Sequence, residues 1–357
     1  MRKISEKQLL NSNRVKWIGR YYYDEKHNAV WFNFSASGFR IRFFGKNLQA
    51  RFLATKSQDD INRPYLAVFH DEASNAKDAR VIEITSQVSE HVLFAGEEGF
   101  HQVIVLKRNE CITGSVALLE LTCDGEFLEN DIRSKKLRIE FYGNSVTAGN
   151  GTAAENNEQQ FTTKTEDACR SFAYLSAKML NAEYSLICVG GFPVYKSPWV
   201  DWCKIKNIIP LLNFADFNEN TTMENAIIWD NQRFVPDIVV LNLAANDSHY
   251  FDRIKNEINY QSELNEFEKQ YRLLIDRLFL MYPYSKVIVT WNMLKIRDDI
   301  NEVLERISSD PTRAIYRLKF SSLLVGGFMP NEGHPNAKMH AHAALELASF
   351  IKEKVII

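Results

Sequence analysis

The stretch "LRIEFYGNSVTAGNGT" (residues 137–152) places a serine directly behind an apolar strand. Leu137, Ile139 and Phe141 alternate with charged or polar residues, and this period of two is typical of a β-strand. A glycine ends the pattern, and Ser145 follows it by two positions, ahead of a run of small residues. A serine in this position can be a nucleophile, part of a phosphate cradle or the cap of a helix. The rest of the chain has to distinguish these three roles.

The composition is that of an ordinary globular protein. The chain has 357 residues, and a single hydrophobic core rarely supports a domain of that length, so two domains are expected. It is 45% hydrophobic and 25% charged, and its net charge of −2 gives no electrostatic reason to bind nucleic acid or an anionic membrane. No apolar run approaches the roughly 20 residues of a transmembrane helix. We therefore expect neither nucleic acid nor membrane as a partner.

Targeting and cofactor signals are weak. The N-terminal stretch "MRKISEKQLLNSNRVKW" carries positive charge but no apolar segment, so no signal peptide is visible. The sequence as written predicts a cytoplasmic protein, or a secreted or periplasmic one if a leader was removed. The five cysteines are widely spaced and form no CxxC pair or Cys/His cluster, and no HExxH motif is present. We therefore expect buried thiols, no metal site and no other cofactor.

The N-terminal third reads as short strands separated by turns. Between residue 15 and about residue 125 the chain contains "AVWFNF", "FRIRFFG", "LQARFLA", "YLAVFH", "RVIEIT", "HVLFAG", "HQVIVLK" and "SVALLELTC", with no helical pattern between them. Phe39, Ile41 and Phe43 are predicted to share one face of their strand. This spacing favours an all-β sandwich or barrel. The polar segment 124–136 is the predicted domain junction.

The rest of the chain alternates strands with helices. The predicted strands are 137–143, 184–191, 237–247 and 285–292. Apolar residues recur at helical spacing before the second strand, and again before the fourth at Leu264, Phe267, Tyr271, Leu274 and Leu278. A last helix is predicted to begin at Pro335 and to run to about Lys354. Such alternation implies a mainly parallel sheet that is covered on both faces, with ligands bound beyond the carboxyl ends of the strands.

These strand ends carry the residue types that acyl transfer requires. Behind the first three strands and before the last helix stand, in order, Ser145, Gly191, Asn246 and His334. Ser145 Oγ would attack a carbonyl carbon, and His334 would take its proton. The backbone N–H groups of Ser145 and Gly191 and the side-chain amide of Asn246 would hold the oxyanion. A glycine suits this role because no Cβ blocks the approach of the substrate.

Other interpretations of the serine fit less well. The G-x-S-x-G elbow of α/β-hydrolases fails because residue 147 is threonine. A P-loop fails because Asn150 stands where its lysine is needed. Taken singly, Ser145 reads best as a helix cap, Asn246 as a turn residue and His334 as the residue before a proline. Their occurrence together, in this order on separate strand-end loops, favours the catalytic interpretation.

The order of these residues resembles the SGNH hydrolases, and the whole chain resembles carbohydrate esterase family 2. Residues 137–151 are similar to that family's "RRIEFIGDSITCGYG", and residues 229–247 to its "WDFSRYVPDLVVINLGTND". "NEGHPNAKMH" (331–340) resembles the block that holds the catalytic histidine. The resemblance implies a jelly-roll-like β-sandwich over residues 1–132. It also implies an α/β three-layer, flavodoxin-like SGNH hydrolase domain with a mainly parallel sheet over residues 133–357.

The motifs also depart from the family pattern. The usual GDS is Gly-Asn-Ser, with Asn144 in place of aspartate. "GGFPVYK" (190–196) resembles "SGKGVYR", but its second glycine is Pro193. The usual Asp-Trp-His-Pro is Glu-Gly-His-Pro, which puts Glu332 two residues before the histidine. Glu332 can complete a catalytic triad, or the site can be a Ser-His dyad with a backbone carbonyl behind the histidine, and the sequence leaves both open.

The resemblance implies an esterase that removes O-acetyl groups from sugars or polysaccharides, with an acetylated carbohydrate as its partner. Aromatic and polar residues near the strand ends are candidates for binding the sugar: Tyr195, Trp199, Trp202 and His249. A different class of function is a carbohydrate-binding protein in which the altered motifs leave a cleft without turnover. A third interpretation treats the N-terminal sandwich only as a scaffold for the hydrolase domain.

Overall fold

The computed structural model describes residues 1–71, 76–130, 137–157, 159–327 and 329–356. Within this part of the chain an antiparallel sheet occupies the N-terminal side, and a parallel sheet follows it. The domain boundary that we predict between residues 132 and 133 lies outside the described residues.

The N-terminal sheet has ten strands within the described residues, and all their pairings are antiparallel. The strands are β1 (Arg2–Ser5), β2 (Val15–Ile18), β3 (Tyr22–Asp24), β4 (Ala29–Trp31), β5 (Gly38–Ala54), β6 (Tyr65–His70), β7 (Arg80–Glu83), β8 (Val88–Lys107), β9 (Val116–Cys123) and β10 (Glu126–Leu128), with a short helix α1 (Gln8–Asn11). The order is β3-β4-β9-β5-β8-β6-β7, while β1 pairs with β9, and β2 and β10 pair with β5.

Two long strands curl this sheet around its core. Strands β5 and β8 each join two strands that we predict as separate, because the pairing between them continues through register shifts at Gly45–Asn47 and Leu48–Gln49. The first half of β5 pairs with β2 and the second half with β9, so the two halves of this strand have different neighbours in the sheet. Phe39, Ile41 and Phe43 are fully buried, and their predicted common face is confirmed.

The C-terminal part is a parallel sheet with helices around it. Its described strands are β11 (Arg138–Gly143), β12 (Glu183–Cys188), β13 (Ile238–Asn242), β14 (Lys286–Trp291) and β15 (Ile315–Lys319). The helices are α2 (Ser145–Ala148), α3 (Phe172–Met179), α4 (Ala245–Ile254), α5 (Tyr260–Met281), α6 (Asp298–Ser308), α7 (Pro330–Gly333) and α8 (Ala337–Phe350), the last continued by a π-helical turn (Ile351–Val355). The strand order β12-β11-β13-β14-β15 is the 2-1-3-4-5 order of flavodoxin-like sheets.

The burial pattern of β13 explains the three layers. Ile238 and Val240 pack in the core that α3 and α8 cover, whereas Val239 and Leu241 pack in the core under α5 and α6. Both faces of the strand are therefore buried, which is why it reads as a continuous apolar run. None of the helices in the described part of the chain is both long and apolar enough to span a bilayer.

The structure corrects several details of the prediction. The predicted strands 184–191 and 237–247 are too long, because β12 ends at Cys188 and β13 at Asn242, so that Asn246 lies in a helix. The predicted junction 124–136 contains β10, which pairs with β5 in the N-terminal sheet. We did not predict β15, because it is an edge strand with half-exposed and exposed side chains and therefore has no apolar run. The last helix begins at Ala337 rather than Pro335, because the side chain of Asn336 accepts hydrogen bonds from the backbone N–H groups of Lys338 and Met339 and so caps the helix.

A buried arginine joins the two sheets. Arg20 leaves β2 and enters the C-terminal part, where it is only 1% exposed. Its Nη1 donates to the carbonyl oxygens of Leu211 and Phe214 at 2.8 and 2.7 Å. Its Nη2 donates to Glu140 Oε1 at 3.2 Å and to the Tyr142 hydroxyl at 3.0 Å. Because Glu140 and Tyr142 lie on β11, this side chain links the N-terminal segment to the strand that precedes Ser145.

Candidate active site

Ser145 lies at the carboxyl end of β11, where it is the first residue of α2. The side chain of Asn144 accepts a hydrogen bond from the Val146 backbone N–H at 3.1 Å and so caps this helix. Gly143 packs so closely that an added Cβ would lie 2.0 Å from Thr147 Oγ1. The sharp turn from strand to helix therefore requires glycine at 143 and presents Ser145, 9% exposed, at the edge of the sheet.

His334 faces the serine across the sheet edge. It directly follows α7, and its backbone N–H donates to the Pro330 carbonyl at 2.8 Å. Its Nε2 lies 2.8 Å from Ser145 Oγ, although the two residues are 189 positions apart in sequence. This distance is within the hydrogen-bond range that a general base needs to accept a hydroxyl proton. The fold thus brings the two predicted reactive side chains into direct contact.

Gly191 occupies a tight turn that we call the glycine turn (residues 189–192). The Phe192 N–H donates to the Val189 carbonyl at 3.2 Å and closes the turn. Gly191 is the third residue of the turn and has a φ of +77°, as a type II turn requires. An added Cβ on Gly191 would lie 3.1 Å from Trp199 Cβ. Both the backbone conformation and the close packing of Trp199 therefore favour glycine at this position.

Asn246 lies against the glycine turn from the next strand over. It follows β13, in the first turn of α4, and is 8% exposed. Its Nδ2 donates to the Phe192 carbonyl at 3.0 Å. This hydrogen bond uses one of the two amide protons and fixes the orientation of the side chain. The second proton is therefore held in a defined direction, as an oxyanion donor requires.

Asp247 anchors the segment that follows the glycine turn. It is fully buried and accepts hydrogen bonds from the backbone N–H groups of Val194, Tyr195 and Lys196 at 3.0, 2.7 and 3.3 Å. Burial raises the pKa of this carboxyl to about 6, while the three N–H groups favour its ionised form. The contacts of Asp247 are therefore structural: its carboxyl group holds the backbone of residues 194–196.

The aromatic residues that we predict to bind sugar have different surroundings. Trp199 is 51% exposed and contacts His249 edge to face, with 6.3 Å between ring centroids. Trp202 is 41% exposed and packs on Phe192 at 6.0 Å. The Tyr195 hydroxyl donates to the carboxylate of Glu263 at 3.0 Å, which ties its ring to α5. Trp199 and His249 thus form an exposed pair beside the glycine turn, and Tyr195 has a structural contact of its own.

Glu332 is the third member of the predicted triad. The side chain of Glu332 lies outside the described part of the structure, so its relation to His334 stays a prediction. Over the residues that are described, no group of three or more His, Cys, Asp or Glu side chains could hold a metal ion.

Two contacts of the glycine turn were not predicted. One is the bond from Asn246 to the Phe192 carbonyl, and the other joins the Gly190 N–H to the carboxylate of Glu110. Both partners are distant in sequence from the turn. A local pattern carries no signal for such contacts, apart from the presence of a charged residue at the end of an apolar strand in "HQVIVLKRNE".

The chain is similar to known esterases in sequence. No protein-family model matches it. The cellulase/esterase CelE of Acetivibrio thermocellus is 24% identical over 260 residues, which cover 72% of this chain and 30% of that protein. An acetylxylan esterase/glucomannan deacetylase of Cellvibrio japonicus is 25% identical over 258 residues, which cover 71% of this chain and 67% of that protein. This chain therefore matches less than a third of the length of CelE.

The fold is also that of a solved structure. A family two carbohydrate esterase from Clostridium thermocellum, solved in complex with cellohexaose, aligns with a TM-score of 0.78 at 21% identity. The alignment covers 96% of this chain and 99% of the other. Because it extends over nearly all of both chains, the combination of an antiparallel N-terminal sheet with a parallel C-terminal sheet is common to the two proteins.

Proposed function

We propose that this chain, a relative of the family 2 carbohydrate esterases, is a serine esterase that removes O-acetyl groups from sugars or polysaccharides. The relatives confirm the resemblance that the motifs indicate. The observation that carries the proposed activity is the 2.8 Å contact between Ser145 Oγ and His334 Nε2 at the carboxyl edge of the parallel sheet.

In the proposed mechanism Ser145 Oγ attacks the acetyl carbonyl carbon while His334 Nε2 takes the hydroxyl proton. The oxyanion accepts hydrogen bonds from the N–H groups of Ser145 and Gly191 and from the Asn246 amide. Collapse of the tetrahedral intermediate breaks the ester bond, and the proton on His334 passes to the departing sugar hydroxyl. In the second half of the reaction His334 takes a proton from water, and the water oxygen attacks the acetyl carbon of the acetyl-serine. Acetate leaves as the proton on His334 returns to Ser145 Oγ.

The sequence allows two arrangements that would orient His334. In one, the Glu332 carboxylate accepts a hydrogen bond from the Nδ1–H of His334 and completes a triad. In the other, a backbone carbonyl takes this position and the site is a dyad. A Glu332→Gln variant that keeps nearly wild-type kcat supports the dyad, whereas a loss of several orders of magnitude, even if smaller than that of His334→Ala, supports the triad.

The proposed substrate class rests on the exposed aromatic pair and on the named relatives. Aromatic faces pack well on sugar rings, and Trp199 stands beside the glycine turn with half of its surface exposed. His249 contacts Trp199 and extends this surface, and Trp202 and Tyr195 stay candidates for binding the sugar. One relative is named for acetylxylan and glucomannan, and the Clostridium thermocellum structure holds a glucan, so acetylated plant polysaccharides are the first substrates to test.

We further propose the finer architecture that the resemblance implies. Residues 1–132 would form the jelly-roll-like β-sandwich, and residues 133–357 the SGNH hydrolase domain. The curl of β5 and β8 around one core supports the sandwich, and the 2-1-3-4-5 strand order supports the flavodoxin-like hydrolase domain.

The function is tested by assaying free acetate from acetylated xylan, acetylated glucomannan and acetylated monosaccharides, with and without a chelator. We expect acetate release that the chelator leaves unchanged. A preference for long-chain esters, or loss of activity on chelation, would contradict the proposal. Binding of these polysaccharides without any release of acetate would instead support the carbohydrate-binding alternative.

A further inference from the structure

A carboxylate of the N-terminal part lies directly against the glycine turn. The backbone N–H of Gly190 donates to Glu110 Oε2, and Glu110 lies between β8 and β9, 80 residues earlier in the chain. Glu110 is 3% exposed. An added Cβ on Gly190 would lie 2.7 and 3.0 Å from the two carboxylate oxygens. Glu110 therefore contacts the residue that precedes the proposed oxyanion donor Gly191.

The position of Glu110 is itself fixed from both parts of the chain. Its carbonyl accepts hydrogen bonds from Lys107 Nζ at 2.7 Å and from Thr113 Oγ1 at 2.9 Å. Its backbone N–H donates to Glu166 Oε2, a residue of the C-terminal part, at 3.3 Å. A side chain held in this way is a rigid support rather than a mobile surface carboxylate.

The charges around Glu110 are buried together. Burial raises the pKa of Glu110 to about 7, while the Gly190 N–H and the Lys107 ammonium favour the ionised form. Burial also raises the pKa of Glu166 well above its usual value, and it lowers the pKa of Lys107 to about 8. The carboxyl groups of Glu110 and Glu166 and the Lys107 ammonium therefore share one buried site.

We propose that Glu110 is a positioning residue that orients the glycine turn for catalysis, an inference that rests on the proposed esterase function. The Gly191 N–H belongs to the peptide between the second and third residues of the turn, and rotation of this peptide distinguishes type I from type II turns. Two consecutive glycines offer little steric resistance to that rotation. Glu110 holds the turn at Gly190, and Asn246 holds it at Phe192. An oxyanion donor is effective only when it is aimed in advance.

Two conservative variants test separately whether the length or the charge of the Glu110 side chain is required. Glu110→Gln keeps the length and retains an oxygen that can accept the Gly190 N–H, whereas Glu110→Asp keeps the charge but is one methylene shorter. Glu166→Gln is the matched control: it alters the same buried cluster, makes none of the described contacts to the turn, and keeps a side-chain oxygen that can still accept the Glu110 backbone N–H. We expect Glu110→Asp to lower kcat for an aryl acetate by about 10- to 100-fold with KM nearly unchanged, since the affected donor acts in the transition state. Glu110→Gln should retain most of kcat, and Glu166→Gln should resemble the wild type.

Amide hydrogen exchange over residues 187–194 provides a readout that does not depend on catalysis. We expect faster exchange of this segment in Glu110→Asp and near-native exchange in Glu110→Gln and Glu166→Gln. A wild type that releases no acetate would contradict the esterase proposal, while faster exchange in Glu110→Asp would still support the positioning of the turn. Wild-type kcat in Glu110→Asp, or an equal loss in Glu166→Gln, would overturn the role of Glu110.

Discussion

At the scale of single residues, Asn246 combines a structural and a proposed catalytic contact. Its Nδ2 donates to the Phe192 carbonyl, so the same amide that would stabilise the oxyanion also fixes the glycine turn. Its neighbour Asp247 holds Val194, Tyr195 and Lys196 of the following segment through their backbone N–H groups. Two consecutive side chains on α4 thus set the geometry of the loop that follows β12.

Replacement of Asn246 is expected to act on the transition state. Asn246→Ala should lower kcat for acetyl ester hydrolysis by about 10²–10³-fold with little change in KM, because an oxyanion donor contributes mainly after the substrate is bound. Asn246→Asp has the same shape but offers no donor, so it should lose as much. Steady-state kinetics of both variants test this, and a change confined to KM would mean that Asn246 binds only the ground-state substrate.

Asp247 makes the stability depend on pH in a direction opposite to that of most surface carboxylates. Its folded pKa is raised to about 6 by burial, whereas the ordinary value is 3.8. Between these two pH values the folded chain holds a proton that the unfolded chain has lost. The contribution of this group to the free energy of unfolding therefore falls as the pH rises through this window, by up to about 3 kcal/mol.

Asp247→Asn removes this titration. The difference in unfolding free energy between wild type and variant should therefore be larger near pH 4 than near pH 7, in favour of the wild type. Urea unfolding of both proteins at several pH values in this range measures the difference. A difference that stays constant, or that grows towards pH 7, would contradict the assigned pKa.

At the scale of the secondary-structure elements, the start of α4 carries backbone strain. Ala244 precedes the helix with a φ of +80°, a left-handed conformation that side chains with a Cβ rarely adopt. In the family stretch "WDFSRYVPDLVVINLGTND" that residues 229–247 resemble, glycine stands at this position. The helix therefore begins with a local cost that the packing of the surrounding strands and helices offsets.

Ala244→Gly should raise the free energy of unfolding by up to about 1 kcal/mol. Relief of the left-handed strain gains about 1–2 kcal/mol, and the larger conformational freedom of glycine in the unfolded chain takes back about half of it. Ala245→Gly is the control: its backbone is helical, so the same substitution should cost about 0.5–1 kcal/mol. Chemical denaturation of both variants checks the opposite signs, and destabilisation by Ala244→Gly would refute the strain.

Local patterns predict the elements that bury a regular face. Strand β13 follows from its continuous apolar run. Helix α5 follows from its helical period, since Leu264, Phe267 and Tyr271 are buried as predicted. Strand β15 does not follow, because an edge strand with exposed side chains lacks such a pattern. The alignment of Ser145 with His334 follows only from the order of the strand ends, and the contact between Glu110 and Gly190 depends on tertiary packing that a single sequence does not encode locally.

At the scale of the whole molecule, the two parts of the chain share buried charges. Arg20 of the N-terminal part pairs with Glu140 on β11, and both side chains are fully buried. Glu110 of the same part supports the glycine turn. The N-terminal part therefore contacts both the strand that leads to Ser145 and the turn that would bind the oxyanion.

Replacement of Arg20 tests this coupling. Arg20→Met leaves Glu140 buried without its cation and two carbonyl oxygens without their donor, so we expect a loss of about 3–5 kcal/mol in unfolding free energy. Arg14→Met is the control on an exposed arginine of the same segment, and it should change stability by less than about 0.5 kcal/mol. Equal effects of the two substitutions would show that the buried pair does not couple the two parts.

The most direct test of the proposed activity is to trap the nucleophile. The wild type is incubated with an organophosphate ester that carries a 4-nitrophenolate leaving group, and the modified residue is located by peptide mass spectrometry. Attack by Ser145 Oγ forms a phosphoryl ester and releases 4-nitrophenolate, while His334 takes the hydroxyl proton. We expect a single adduct on Ser145, no adduct in Ser145→Ala, and labelling slowed by several orders of magnitude in His334→Ala. An adduct on another residue, or undiminished acetate release by Ser145→Ala, would contradict the assignment of Ser145 and His334 as the catalytic pair.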